Sequence, residues 1–273
     1  MALYSSALST IRQYLSAAVG DLIESTAGGT PTSTTYVDTK LRQADDYYNN
    51  HKYKGYCYYG TAIGQEREVK DWTLTSPANT LTLDPAFSPA IAVGDKFELH
   101  RIFTEDELRK AINLAIESLA DGKYLIDKID ASTVLVADTY EYTLPTDMSY
   151  VHKITTEETA GGDKFPAWAE IDPRNWMLIS PRKVKLHESY YSVSAGKDLR
   201  IEGQGRQATL TTDTGVCYLP PHLIIAEAIL RLPQSKIESN KLGGVYAQAR
   251  LNADYYRRTE RNYPHPQARR VVE

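Results

Sequence analysis

The apolar residues near the N-terminus recur at helical spacing. Ile11, Leu15, Ala18 and Leu22 are separated by intervals of four, three and four, which places them on one face of a helix. We therefore predict an amphipathic helix over residues 5–24. The TAGGTPTSTT that follows has no period and contains Gly and Pro, so it ends the helix and begins a new region.

Residues 34–101 change to short runs rich in β-branched and aromatic side chains. GYCYYGTA, REVKDWTL, NTLTLD and DKFELHR are such runs, and turn signals such as Val93-Gly94-Asp95 separate them. Several short strands at close spacing predict a small barrel or sandwich.

A second helix is predicted directly after this β-rich region. Thr104 and Glu107 have the spacing of a capping box, in which each side chain bonds the backbone N–H of the other residue. The apolar face of the helix begins at Leu108 and continues to Leu119, and Gly122 is its natural stop.

The C-terminal half repeats the alternation of strands and helices. Residues 133–211 contain alternating segments such as TYEYTLP and KDLRIEG, which predict a second β-rich region. PPHLIIAEAILRLP begins with two prolines and predicts a helix, and a longer helix is predicted over residues 240–261. The chain then ends in NYPHPQARRVVE, which cannot fold alone.

This order predicts an α+β fold, in which a helical bundle core carries two β-rich modules and an extended C-terminal arm. The helices must gather in space, because none can bury its apolar stripe alone. The predicted parts are a bundle core at residues 1–30, 102–132 and 212–262, an inserted barrel or sandwich at 31–101, a second β-rich module at 133–211, and an arm at 263–273.

Composition narrows the function classes. Hydrophobic residues make up 42% of the 273 residues and charged residues 24%, which is typical of a folded soluble protein. The slight net charge of −4 argues against a dedicated nucleic-acid binder. Cys57 and Cys217 are expected to be free buried thiols, and the lack of a long apolar run predicts no contact with a membrane.

The search for catalytic chemistry favours a non-enzymatic protein without a cofactor or metal. The six histidines have no metal-ligand spacing, and no nucleophile motif is present. Gly203-Gln204-Gly205 lacks the last glycine of a dinucleotide motif. Carboxylates are plentiful, but Glu105 to Glu107 already have a role at a helix N-terminus. A hydrolase with two converging carboxylates stays open as an alternative.

The sequence is rich in tyrosine, with 20 Tyr against 4 Phe. Residues 45–60, DDYYNNHKYKGYCYYG, are interpreted as a hairpin with aromatic faces, with contact to a neighbouring subunit or the tail as the next alternative and a glycan platform as another. The candidate contact residues are Tyr47, Tyr48, Tyr53, Tyr56, Tyr58 and Tyr59.

The C-terminal segment has an excess of arginine over acidic residues. Arg and Tyr are enriched at the anchors of protein interfaces, and prolines keep a segment extended. We therefore predict an arm that orders on a partner surface and that can be deleted over residues 262–273 without harm to the fold. Its predicted contact residues are Arg257, Arg258, Arg261, Tyr263, Pro264, Arg269 and Arg270.

The sequence resembles that of tailed-bacteriophage head-to-tail connector proteins, also called adaptor or neck proteins. The resemblance is carried by TTYVDTKLRQADDYYNNHKYKGYCYYGTA, REVKDW and NTLTLDPAFSPAIAVGDKFELHRIFTEDELRKAIN, and by EYTLP and DLRIEGQG. It covers about residues 30–205. The family implies a helical bundle that forms a ring beneath the portal, with β regions facing outward or toward the tail and a C-terminal segment docked on the portal. The large β insertion departs from the shorter, mostly helical adaptors.

The resemblance implies a structural virion protein of the neck, made in the host cytoplasm. Its expected partners are the portal protein, a tail or nozzle protein, and itself in a homo-oligomeric ring of about twelve copies. DNA would pass through the lumen without specific binding, because a mildly acidic wall lets it slide. The alternative is a tail or fibre-attachment protein whose tyrosine-rich module binds a glycan receptor.

Overall fold

The computed structural model describes residues 4–75, 78–119, 124–188, 195–259 and 266–272. Runs of strands are separated by helices along these ranges. The helices are α1 (Leu8–Ala18), α2 (Tyr47–Asn50), α3 (Glu105–Leu119), α4 (Pro221–Ile229), α5 (Gln234–Ser239) and α6 (Gly243–Thr259). The strands are β1 (Ser6–Ala7), β2 (Ile23–Thr26), β3 (Thr35–Val37), β4 (Lys54–Tyr59), β5 (Glu66–Thr73), β6 (Thr80–Asp84), β7 (Lys96–His100), β8 (Ile126–Val134), β9 (Glu141–Thr143), β10 (Met148–Thr156), β11 (Trp176–Ile179), β12 (Lys183–Leu186), β13 (Asp198–Gly205), β14 (Val216–Cys217) and β15 (Arg269–Arg270).

The chain forms two compact units. The α/β unit comprises residues 4–117 and 209–259, and the β unit comprises the described parts of residues 118–208 and 260–273. The chain therefore leaves the α/β unit to build most of the β unit, returns to add α4, α5 and α6, and ends in the β unit.

The α/β unit contains a curled antiparallel sheet of six strands in the order β2-β7-β4-β5-β6-β3. Its two edges meet at one point, where Gly28 and Val37 exchange backbone hydrogen bonds of 2.8 and 3.2 Å. Gly29 permits this approach, because it has a φ of +66° and a Cβ there would lie 2.9 Å from a Val37 methyl group. The sheet is thus a half-barrel, whose concave core includes Trp72, Tyr48 and Phe97.

The first helix is shorter than the predicted 5–24. It ends at Ala18, and Gly20 then adopts a φ of +70°, the left-handed conformation that terminates helices. Residues 23–26 form strand β2 at the sheet edge, where the β-branched Ile23 and Thr26 pair with β7. The helical spacing of the apolar residues did not reveal that the helix ends at Ala18 and a strand begins at Ile23.

The helix predicted after Thr104 is confirmed as α3. The N–H of Thr104 donates to Glu107 Oε2 at 2.9 Å, and the N–H of Glu107 donates to Thr104 Oγ1 at 3.2 Å, which is the reciprocal geometry of a capping box. The predicted stop at Gly122 lies outside the described residues. The predicted C-terminal helices are also confirmed, as α4 with Pro221 at its start and as α6.

The β unit is built from two antiparallel sheets. One has the order β15-β10-β13-β8 and the other the order β11-β12-β9. Buried side chains of both sheets, including Val151 and Ile201 from the first and Trp176 and Val184 from the second, form one hydrophobic core. The β-rich character predicted for residues 133–211 is confirmed by strands β9 to β13.

The prediction of a helical bundle core is wrong. Helices account for 27% of the residues and strands for 31%, distributed over several antiparallel sheets. The physical reason is that α1 and α3 also bind the half-barrel: Arg12 of α1 donates to Glu98 of β7, and the first N–H of α3 donates to the Glu66 side chain of β5, so the helices pack on a sheet and not only on one another.

The predicted extended arm is also wrong for residues 266–272. Strand β15 pairs with β10, with Arg269 opposite Val151 and Arg270 opposite Tyr150. Val271 is buried in the core of the β unit. The segment docks because β10 would otherwise leave an unpaired strand edge beside this core.

Cys57 and Cys217 are free and buried, as predicted. In the described part of the chain, no helix has both the length and the apolar character needed to cross a bilayer.

Candidate assembly surface

Helices α1, α4 and α6 of the α/β unit line an open groove of about 570 Å³, which we call the helical groove. Its apolar walls come from Tyr14 and Ala18 on α1, Ile225 and Ile229 on α4, and Val245 and Ala249 on α6. Small side chains at Ala18, Ala249 and Gly244 leave this volume unfilled between the helices. A groove of this kind is suited to an apolar segment of another chain.

The rim of the helical groove carries polar and aromatic side chains. His222 packs against Tyr256, with ring centroids 4.4 Å apart, and Gln248 and Asn252 lie along α6 beside them. Tyr14, on the other wall, is 56% exposed. An apolar centre with a polar and aromatic rim is typical of protein interfaces.

The outer surface of α6 presents exposed apolar side chains, which we call the α6 ridge. The ridge consists of Ala247, Leu251 and Tyr255, spaced four residues apart, and the exposed fractions of Leu251 and Tyr255 are 65% and 62%. At about 100° per residue, Leu251 lies about 160° around the helix from Ala249, but Tyr255 lies only about 20° from Gln248, which lines the groove. The ridge therefore runs along α6 beside the groove.

Ion pairs fix α6 to α4. The fully buried carboxylate of Glu227 accepts hydrogen bonds from Arg231 Nη1 at 2.6 Å and from Arg257 Nη2 at 2.8 Å. Arg257, predicted as an arm residue, thus belongs to this helix pair, while the neighbouring Arg258 is exposed on the last turn of α6. The ridge and the groove are consequently held in a defined orientation to each other.

The other predicted arm residues occupy different places. Arg261, Tyr263 and Pro264 lie outside the residues that the structure describes. Arg269 donates from Nη1 to the Trp176 carbonyl and from Nη2 to the Pro173 carbonyl, both at 2.7 Å, and its guanidinium lies 4.4 Å from the centre of the Trp176 ring. Arg270 is exposed on β15. Their proposed contact with a portal stays a prediction.

We expect deletion of residues 266–273 to destabilise the β unit. The deletion removes the β15 pairing and the buried Val271, whose side-chain burial alone contributes about 1.5–3 kcal/mol. Thermal unfolding should shift to lower temperature, and hydrogen exchange in β10 should accelerate. The matched control is Arg270→Ala, which removes only an exposed side chain. Unchanged protection of β10 in the deletion variant would show that β15 does not support the sheet.

The six predicted contact tyrosines divide between core and surface. Tyr48, Tyr53 and Tyr56 are buried, Tyr47 and Tyr58 are half-buried, and Tyr59 is 61% exposed. The hairpin predicted within residues 45–60 is not formed, because residues 47–50 form the short helix α2 and β4 pairs instead with β5 and β7. An aromatic contact surface in this segment is therefore limited to the rings of Tyr47, Tyr58 and Tyr59.

A buried polar cluster, which we call the Arg12 hub, lies between α1, α3 and the half-barrel. The Arg12 side chain is fully buried and makes a two-pronged contact with Glu98, from Nε to Oε2 at 2.8 Å and from Nη2 to Oε1 at 2.9 Å. Nη1 donates to Asp213 and lies 3.4 Å from Glu105. The Tyr56 ring stacks 4.4 Å from the guanidinium.

The hub joins segments that are far apart in sequence. Arg12 lies on α1, Glu98 on β7, Glu105 at the start of α3, and Asp213 in the turn before β14. The Tyr56 hydroxyl, on β4, completes the connection by donating to Asp213 at 2.7 Å. A cluster of this kind fixes the relative position of helices and sheet.

Burial changes the protonation behaviour of the hub. The hydrogen bonds and charges of Glu98 and Asp213 outweigh desolvation and raise the pKa of Arg12, so its guanidinium stays charged. Desolvation raises the pKa of Glu98 and of Glu105 above the ordinary carboxyl value. Desolvation and the Arg12 charge lower the pKa of His100 to about 3, so this buried imidazole is neutral.

Sequence reasoning missed the hub, although a signal existed. Arg12 falls between Leu8 and Leu15 on the buried face of α1, where a charge needs a partner. Along β7, Glu98 alternates with Phe97 and Leu99, which belong to the half-barrel core, so Glu98 must face the helices. The pairing of these positions required the tertiary structure.

One further group of carboxylates lies at a loop of the β unit. Glu157, Asp163 and Asp198 offer oxygens within 4.8 Å of one another. The buried Glu157 carboxylate accepts the N–H groups of Asp198 at 3.1 Å, Asp163 at 2.6 Å and Gly161 at 3.1 Å, and these bonds lower its pKa. Its oxygens are thus already used by the backbone.

The helical groove and the α6 ridge are the surface features best suited to assembly, whereas the hub is sealed from solvent. Comparisons of this chain with protein-family models, with curated proteins and with solved structures found no match.

Proposed function

We propose that this chain is a structural virion protein, a head-to-tail adaptor that forms a ring beneath the portal and links the capsid to the tail. The sequence resemblance to phage connector proteins supports this function. The single structural observation that carries it is the placement of an apolar groove and an exposed apolar ridge side by side along α6.

Two complementary surfaces on one chain permit head-to-tail association. A ridge that fills the groove of the next copy leaves that copy's own ridge free for a third copy. Heterologous contacts of this kind form a closed ring when the rotation between copies closes. A two-fold dimer would instead use both ridges and both grooves at once and would stop at two copies.

In the proposed assembly, the ring lies in the neck of the virion and contains about twelve copies. The portal protein and a tail or nozzle protein are its partners, and DNA passes through the lumen without specific binding. Exposed Arg258 and Arg270 remain available for a partner surface.

The experiment uses one variant that blocks the ridge and one that blocks the groove. Leu251→Arg places a charge on the ridge, and Ala18→Glu places a charge in the groove wall. We expect each variant alone to stay monomeric at concentrations at which the unmodified chain assembles, because burial of an unpaired charge opposes docking. An equimolar mixture should give a dimer and stop there, since it contains one functional ridge and one functional groove.

Masses from light scattering or native mass spectrometry, alone and with a portal ring, measure this outcome. Leu114→Arg, which alters another exposed leucine on α3, is the matched control and should assemble normally. If both variants assemble like the unmodified chain, or if the mixture forms no dimer, ridge and groove are not the subunit contact.

A further inference from the structure

Glu105 is the least well paired carboxylate of the Arg12 hub. Its Oε1 lies 3.4 Å from Arg12 Nη1 and 3.5 Å from Arg109 Nε, whereas Glu98 receives two short hydrogen bonds from Arg12. Asp213 receives hydrogen bonds from Arg12 and Tyr56. The Glu105 residue is nevertheless 6% exposed, so water compensates little for the missing partners.

The hub contains more acidic than basic groups. Among the described residues of the hub, Arg12 supplies the fully buried positive charge. The carboxyls of Glu98, Glu105 and Asp213 surround it. The charged and titratable groups around Glu105 come from every element packed against it: Arg12 on α1, Tyr56 on β4, Glu66 on β5, Asp213 in the turn before β14 and Arg109 on α3 itself, with Glu98 on β7 sharing Arg12. With all three carboxyls ionised, the buried negative charge exceeds the buried positive charge.

We propose that Glu105 holds a proton in the folded protein, and that loss of this proton weakens the contact of α3 with α1 and the half-barrel, which makes this contact a pH-sensitive latch. A neutral Glu105 lowers the excess of buried negative charge from two to one while leaving the short Arg12–Glu98 and Arg12–Asp213 contacts intact. Glu105 has the longest contacts of the three carboxyls. Its protonation therefore sacrifices less ion-pair and hydrogen-bond energy than protonation of Glu98 or Asp213.

Some neighbouring groups favour the protonated form of Glu105, and others favour its charged form. Glu66 accepts the N–H of Glu105 at 2.9 Å, so a further carboxylate lies beside the start of α3. Arg109 and the positive end of the helix dipole favour the charged form of Glu105, but Arg109 is a third exposed and therefore partly screened. Desolvation opposes them and is the largest influence on the pKa of Glu105.

The sign of the pH effect follows from the raised pKa of Glu105. The stabilisation that this group contributes is fully present below the pKa of an unfolded glutamate, about 4.3. It is lost as the pH rises through the higher pKa of the folded state. The latch is therefore closed on the acidic side and loosens toward higher pH.

The test compares Glu105→Gln with Glu107→Gln, two positions on the same helical turn. Hydrogen exchange of α3 in the full chain, corrected for the intrinsic pH dependence, reports opening of the latch. In the unmodified protein, the opening constant should increase by up to about tenfold per pH unit while Glu105 loses its proton. Glu105→Gln should remove the part of this increase that Glu105 contributes, because the amide imitates the neutral acid, whereas Glu98, whose pKa burial also raises, keeps its own share.

Glu107→Gln is the control with the opposite sign. Desolvation opposes the charged form of Glu107, but the hydrogen bonds of Lys236 and Thr104 outweigh it and lower the pKa of Glu107, so this carboxylate stabilises the fold when ionised. Its replacement should loosen α3 most at neutral pH and leave the Glu105-dependent increase in place. An unchanged pH dependence in Glu105→Gln would overturn the latch.

A second measurement does not depend on a variant. The side-chain carboxyl signal of Glu105, followed by NMR in the unmodified protein, should titrate above the range of exposed glutamates. Titration at or below about 4.3 would overturn the proposal even if Glu105→Gln failed to fold.

Discussion

Arg12→Ala is expected to lower the free energy of unfolding of the α/β unit by about 3–5 kcal/mol, the cost of removing one partner from a buried ion pair. The substitution leaves Glu98, Glu105 and Asp213 close together without their central cation. It also removes the guanidinium from the Tyr56 ring. Because the hub joins segments that are distant in sequence, the loss should spread to both α1 and α3.

Urea unfolding combined with hydrogen exchange in β7 and α3 measures this effect. Arg109→Ala is the matched control, since it removes another arginine near Glu105 whose side chain is a third exposed, and its effect should stay below about 1 kcal/mol. Arg12→Lys should recover part of the loss, because lysine keeps the charge but lacks the two-pronged geometry. Equal stability of Arg12→Ala and Arg109→Ala would contradict a structural role for the hub.

Tyr48→Ala is expected to destabilise the α/β unit by about 3–5 kcal/mol, the range for truncation of a large buried aromatic residue. The Tyr48 ring lies 5.1 Å from Trp72, 5.2 Å from Tyr53 and 5.3 Å from Tyr47, so its removal opens a cavity inside an aromatic cluster. Burial also raises the pKa of Tyr48 to about 12, which keeps its hydroxyl neutral at physiological pH.

Tyr59→Ala is the comparison within the same tyrosine-rich segment. Its side chain is largely exposed, and the change in stability should stay within about 0.5 kcal/mol. Thermal unfolding of the two variants separates a core role from a surface role. If Tyr59→Ala were as unstable as Tyr48→Ala, the division of the tyrosines into inner and outer rings would be incorrect.

The hub and the helical groove share helix α1. Arg12 faces the half-barrel, while Tyr14 and Ala18 face the groove. A change that releases Arg12 should therefore also displace one wall of the groove. Assembly measurements on Arg12 variants must accordingly be interpreted together with their stability.

The sequence by itself determined the elements that depend on neighbouring residues. Thr104 and Glu107 specify the start of α3 through bonds across one helical turn, and Pro221 marks the start of α4. Alternating side chains likewise revealed strands such as β9 and β13, because strand pattern is a property of a few consecutive residues.

Only the tertiary structure decided how these elements are combined. The pairing of Arg12 with Glu98 spans 86 residues, and the docking of β15 on β10 spans more than a hundred, so no local pattern specifies either contact. The C-terminal residues look like a free arm because their stabilising partners lie on a distant strand. The groove likewise exists only where three separate helices leave space between small side chains, which is a property of packing and not of any one segment.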